Sequence, residues 1–287
     1  MFFYFFIMSK YIDKYFLKEK IKEEICRIAT ELPQDIKDYF NNILGRTSGL
    51  SKKVIEILIE NYKIAESERI PLCQDTGIVL FFIEIGKDVY IDFNIEDVLN
   101  QSVKEAYIEC HLRKSVVKDP INRVNTRDNT PAIFYYKFNS ESKGLTIKIM
   151  LKGAGSENTA VFKMFTPTSS WEDIEDFIID VVKNKAINSC PPVIVGIGIG
   201  GTAEKAMLMA KEALFRNIGE RNKIEFYRDK EIELIEKLNE LDIGPMGVGG
   251  YPTVIDVFIE TYASHIASLS VAVNFNCHSV RHTIINF

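Results

Sequence analysis

The chain has no closely spaced cysteine pair. Its five cysteines, Cys26, Cys73, Cys110, Cys190 and Cys277, are odd in number and widely scattered over 287 residues. That pattern argues against a disulfide scaffold and against a structural zinc site, which usually draws on paired cysteines. It suggests a reducing, cytoplasmic compartment. No long basic run occurs and the net charge is −5, so neither nucleic acid nor a membrane surface is expected as a partner. No segment reaches the roughly 20 apolar residues of a membrane span. The opening "MFFYFFIMSK" is apolar but short, without the charged start or the cleavage site of a secretory signal. Residues 1–8 are read as an apolar tail, with Met8 as an alternative start or the stretch as an arm packing on a partner. Glutamine is scarce while isoleucine, lysine and glutamate are abundant, the composition of a heat-adapted protein.

What is present is enough for a large core: 46% of the residues are hydrophobic. Residues 9–44 read as helix, with Ile21, Ile25 and Ile28 at helical spacing. A second helix starts near Ser51 as N-cap. A strand follows at 78–85, then helix over 95–112, a strand at "TIKIMLK" and a helix at "WEDIEDFIIDVVKNKA". The expected fold is α/β (mixed α+β): a helical N-terminal region followed by two α/β lobes with mixed sheets. Residues 9–287 are taken as one domain.

Two glycine-rich stretches stand out. Gly196, Gly198 and Gly201 fit G-x-G-x-x-G between a strand and a helix. A nicotinamide site would use that context. Tight strand–helix packing explains it as well, and no ribose-binding acid ends a following strand. In "KGAGSEN", 152–158, Ser156 could cap a helix, or the turn could offer its N–H groups to a carboxylate.

Three cysteines lie in loops beside proline, glycine or polar residues: Cys73 in "PLCQDTG", Cys190 in "NSCPP", and Cys277 in "FNCHSVRH". Cys26 and Cys110 sit on helices and read as structural thiols. Three thiolates could hold zinc, although structural zinc sites usually draw on close cysteine pairs, and a nucleophilic cysteine paired with His278 would leave the other two loop thiols unexplained. An iron–sulfur cluster held by three loops would use all three and leave one of its irons open as a Lewis acid.

In order, "PLCQDTG", "KGAGSEN", "CPPVIVGIGIGGTAEKA", "GPMGVGG" and "NCHSVRH" resemble the N-terminal part of the class I, iron–sulfur-dependent fumarate hydratase family, which includes the α subunit of L(+)-tartrate dehydratase. The resemblance covers roughly residues 45–287. It implies a [4Fe–4S] cluster on Cys73, Cys190 and Cys277, with one iron not ligated by protein. It implies a substrate site lined by Gln74, Asp75 and Thr76, by Arg113 on the following helix, by Gly155, and by His265. Asp75 would act in proton transfer and Arg113 would clamp a carboxylate. The family often reads Arg-Arg after the third cysteine, and this chain has Arg281-His282.

The sequence ends ten residues after Cys277, where single-chain members continue into a further catalytic domain. The resemblance therefore implies an α subunit, active only with a separate β subunit in an α2β2 or similar assembly, with the carbon base on that partner. The expected reaction is hydration of fumarate to malate, within the tricarboxylic acid cycle. L(+)-tartrate dehydratase, a nicotinamide oxidoreductase and a redox iron–sulfur module are the alternatives.

Overall fold

Pro33 divides what the periodicity reads as one helix over 9–44. A computed structural model, which describes residues 9–287, places it at the N-cap of a second helix. Proline's missing N–H is harmless there, whereas inside a helix it would remove a hydrogen bond. The apolar tail expected at 1–8 lies outside the described residues. In chain order the elements are β1 (Lys10–Tyr11), α1 (Lys14–Thr30), α2 (Gln34–Ile43), α3 (Gly49–Glu68), β2 (Ile78–Gly86) and β3 (Val89–Tyr90). Next come α4 (Ile95–Glu109), β4 (Ile133–Asn139), β5 (Leu145–Lys152), the single turn α5 (Ala154–Glu157), β6 (Val161–Phe165) and α6 (Trp171–Lys185). The chain closes with β7 (Val193–Gly200), α7 (Ala203–Ala213), α8 (Glu225–Asn239), β8 (Val254–Tyr262), β9 (Leu269–Asn276) and β10 (His282–Asn286).

The chain divides into two units. The first takes the residues up to Glu31, Ala65–Gly153 and Arg281–Phe287; the second takes Leu32–Ile64 and Ala154–Val280. Each has its own mixed sheet, as the expected fold class requires. Helices α6, α7 and α8 cover the second sheet.

In the first unit the sheet order is β10-β5-β2-β4. β2 is antiparallel to β5 and parallel to β4, and β5 is antiparallel to β10. The stripe Leu17, Ile21, Ile25 and Ile28 of α1 is buried with Val103 and Tyr107 of α4 and with Phe81, Ile147 and Ile149 of the sheet. The Ser102 hydroxyl donates to the Lys18 carbonyl at 3.0 Å, and Lys18 pairs with Glu105 at 2.9 Å. These two polar contacts set α1 against α4. Cys26 and Cys110 lie on this seam and form a disulfide, with Cα atoms 5.9 Å apart. The expectation of five separate thiols is corrected here: 84 residues of sequence separation hid a pair that helix packing brings together.

In the second unit the order is β6-β9-β7-β8, with β7 antiparallel to β9 and parallel to β8. Alternate residues of β7 face opposite sides. Val195 and Ile197 share a buried cluster with Ile178 and Val182 of α6 and Leu234 and Leu238 of α8. Gly196 and Gly198 face α7. A Cβ on either would meet the carbonyl of Ala210 or Ala206 at 2.1 Å. These glycines sit within the strand rather than in a phosphate-binding turn, so close helix–strand packing accounts for the G-x-G-x-x-G fingerprint. Ser51 is not an N-cap: it is buried in the first turn of α3 and donates to the Gly249 carbonyl at 3.1 Å.

Changing Gly198 to Ala is expected to destabilise the protein by about 3 kcal/mol, since the backbone of α7 must move; chemical denaturation checks this. Peptide mapping without reductant is expected to recover Cys26 joined to Cys110. Cys26→Ser is expected to lower Tm by about 10 °C, from loss of a long closed loop.

Candidate functional site

In the first unit, the segment Leu72–Gly77 enters β2. Its backbone polar groups find partners on the elements around it. Leu72 N donates to the Ala29 carbonyl at the end of α1, at 2.9 Å. The hydroxyl of Tyr107, on α4, donates to the carbonyls of Thr76 and Gly77, at 2.8 and 3.0 Å. Asn129 Nδ2 donates to the Gly77 carbonyl at 3.2 Å. Burial is the main reason the Tyr107 phenol is held well above its ordinary pKa, so it stays a donor. These bonds hold the two ends of the loop, and Cys73 and Gln74 between them are exposed.

Asp75 is half-buried, and its Oδ1 accepts the Gly77 N–H at 3.0 Å, an Asx-type turn. Thr76, expected among the catalytic residues, is 1% exposed and its hydroxyl donates to the Arg113 carbonyl at 2.6 Å. Its visible work is to anchor the loop. Arg113 was expected on the helix. It lies past the C-cap of α4 at Cys110, after His111 has turned left-handed (φ 53°), and it is exposed. The chain must leave the helix there for the Arg113 carbonyl to reach Thr76.

In the second unit, Cys190 ends a 3₁₀ turn (Ala186–Ser189) in the left-handed conformation at φ 53°, uncommon for a residue with a side chain. It precedes β7, while Cys277 follows β9. Antiparallel register pairs Ile194 with Asn276, so both cysteines stand at the same end of this sheet. His278 N donates to the Cys190 carbonyl at 3.4 Å, and His278 Nδ1 lies 3.0 Å from the same oxygen. Gly155 belongs to α5 rather than to an open turn. A Cβ there would lie 3.1 Å from the Asn188 carbonyl, and Thr159 and Ser189 bond through their hydroxyls at 2.6 Å. Gly155, Cys190 and Cys277 are therefore neighbours through α5 and the 3₁₀ turn. Ser156, expected as a cap, is buried inside α5.

His265 is not brought to them. It sits exposed in the β8–β9 loop and its Nδ1 accepts the Ala267 N–H at 3.1 Å. Gly200, at the far end of β7, pairs with Tyr262 just before that loop. The eight-residue strand separates the two ends by roughly 25 Å. His265 instead lines a cavity of about 720 Å³ with Gly201, Thr202, Lys205, Tyr262 and Ser268.

Could these residues hold an iron–sulfur cluster? Cys73, Cys190 and Cys277 are outside any disulfide, and thiolates are the ligands such clusters take. The Asn276 side-chain amide and the Ser279 hydroxyl, on either side of Cys277, are buried without a hydrogen-bond partner. Buried donors normally find an acceptor, and the sulfurs of a cluster would provide one. The donor set fits. Among the described residues, no group of three His, Cys, Asp or Glu is assembled as a metal site.

Sequence reasoning missed Tyr107 and Asn129, and it met Arg281 only as part of a motif and gave it no role. Tyr107 and Asn129 lie outside every motif, and only the fold turns them towards the loop.

Cys73 stands before β2, Cys190 before β7 and Cys277 after β9, so each thiol sits in a loop at a strand end of its own unit. An electron carrier would have close-spaced ligands instead. Residues 18–286 match the fumarate hydratase (Fumerase) family. A putative L(+)-tartrate dehydratase subunit alpha from Methanocaldococcus jannaschii is 40% identical over 280 residues, covering 93% of this chain and 96% of that protein. The L(+)-tartrate dehydratase subunit alpha of Escherichia coli strain K12 is 30% identical over 269 residues, 92% of this chain and 88% of that protein. The chain belongs to the fumarate hydratase family. It is thus of hydro-lyase type, and membership implies an iron–sulfur cluster. No helix among the described residues is long and apolar enough to cross a membrane.

Tyr107→Phe is expected to cost about 2 kcal/mol, because it leaves the buried carbonyls of Thr76 and Gly77 short of a donor; thermal melts check this.

Proposed function

We propose that the chain is the α subunit of a fumarate hydratase that adds water reversibly to fumarate to give (S)-malate. In this reading Cys73, Cys190 and Cys277 hold a [4Fe–4S] cluster with one iron left to substrate. The observation that carries it is the fixed loop that presents Cys73, Gln74 and Asp75 together. When bound, the cluster supplies a Lewis acid that polarises the substrate hydroxyl.

The chain's own residues do the rest. Asp75 gives a proton to the departing hydroxyl and recovers it on hydration. Arg113, exposed beyond α4, clamps a substrate carboxylate with its planar fork. Gln74 offers both a donor and an acceptor to the substrate, and Gly155 reaches it through its backbone. Thr76 keeps the loop against Arg113.

A β subunit completes the site and carries the carbon base, which the "subunit alpha" names of the relatives support. A reducing, cytoplasmic setting suits the three thiols. A second reading, L(+)-tartrate dehydration, is favoured by those same names. They also argue against a place in the tricarboxylic acid cycle.

The test is anaerobic reconstitution with the β subunit, iron and sulfide, followed by kinetics and EPR with malate and with L(+)-tartrate. The expected result is about four irons per α chain, a spectrum perturbed by malate, and a higher kcat/KM for malate. A higher value for tartrate would select the second reading, and an iron-free active complex would overturn the cluster. Asp75→Asn is expected to keep the iron and lower kcat about 100-fold or more.

A further inference from the structure

Three adjacent strands of the first sheet end at one place. Asp75 lies just before β2, Gly153 just after β5 and Arg281 just before β10. The register pairs Ile78 with Lys152 and His282 with Met150, so these three residues come to the same end. Leu151 N donates to the Arg281 carbonyl at 2.9 Å, which fixes the arginine's backbone to β5.

Arg281 is 4% exposed. Its Nη1 donates to the Asp75 carbonyl. A Cβ built on Gly153 would lie 3.1 Å from Arg281 Nη2 and 3.2 Å from Asp75 Oδ2. The guanidinium and the Asp75 carboxylate therefore both lie against the bare Cα of Gly153. Arg281 Nε is buried without a partner. A buried cation short of a hydrogen bond is costly and is poorly explained by stability alone.

We propose that Arg281 is a positioning residue for Asp75, with Gly153 as the gap that lets the two groups meet. This rests on the proton-transfer role given to Asp75 above. The guanidinium fixes the peptide on one side of Asp75, and the Asx turn to Gly77 fixes its side chain on the other. Together they hold the Asp75 carboxylate in one place, so the acid need not be ordered during each turnover. A Cβ at position 153 would make the acid or the arginine give way by a few tenths of an ångström.

The test uses the iron-loaded complex with the β subunit. Arg281→Gln is expected to lower kcat per cluster about 100-fold and to change KM for malate less than about threefold, with Arg281→Lys recovering part of the loss. In an Asp75→Asn background, Arg281→Gln is expected to cost less than about threefold more, because the residue acts through Asp75. Gly153→Ala, which keeps both charged groups, is expected to lower kcat about tenfold. Amide exchange at Gly77, whose N–H is held by Asp75, is expected to rise at least about tenfold in Arg281→Gln, whatever the substrate.

A raised KM with unchanged kcat would make Arg281 a substrate ligand and overturn the proposal. So would additive losses in the double variant, or unchanged Gly77 exchange. Iron lost in step with activity, at constant turnover per cluster, would reduce Arg281 to a structural residue. If Arg281→Gln does not fold, undiminished kcat in both Arg281→Lys and Gly153→Ala overturns the proposal instead. A wild-type complex inert on every dicarboxylate would sink the functional reading, while Gly77 exchange would still decide the positioning.

Discussion

Antiparallel pairing is the constraint on which the candidate site depends. Where two strands run in opposite directions, the start of one stands beside the end of the other. In the first sheet this sets Asp75, before β2, beside Gly153, after β5. In the second it sets Cys190, before β7, near Cys277, after β9. Residues far apart in sequence thus reach one sheet end without a long loop to carry them. The parallel pair β7–β8 shows the converse. Its connection returns the chain to the end where β7 began, and β8 then runs the same way as β7, which is why His265 finishes at the far end of the sheet from the cysteines of its own unit.

The same strand ends must dispose of their backbone polar groups, and the two units do so differently. The Leu72–Gly77 segment is tied at both ends, by Ala29, Tyr107, Asn129, Arg113 and Arg281. The Cys277 end keeps buried donors on Asn276 and Ser279 without acceptors. Paired groups hold a strand end in place, while a buried donor without an acceptor is costly and normally finds one. The Cys26–Cys110 disulfide joins α1 and α4, the two helices that hold the Leu72–Gly77 segment. It bonds the helices near Ala29 and Tyr107, the same residues that reach the loop.

Much of the site could be read from the chain, since short motifs carried it. Cys73, Cys190 and Cys277 were legible because each interrupts apolar sequence with proline, glycine or polar neighbours. Thr76 was legible as a site residue but not as an anchor, because whether a hydroxyl faces substrate or a carbonyl depends on Arg113 leaving its helix. Gly196 and Gly198 looked like a nucleotide loop, because a pattern of glycines does not reveal whether the neighbour is a phosphate or the α7 backbone.

The sequence alone determined the alternation of helix and strand, the apolar stripe of α1, the thiol loops and the family. These are local, since periodicity and motif spacing depend only on neighbours along the chain. Tertiary structure alone decided that Cys26 meets Cys110, that His265 stands apart, and that a buried arginine after the third cysteine reaches the Asp75 loop. Each depends on strand direction and register or on helix packing, which bring together residues that no spacing in the sequence relates.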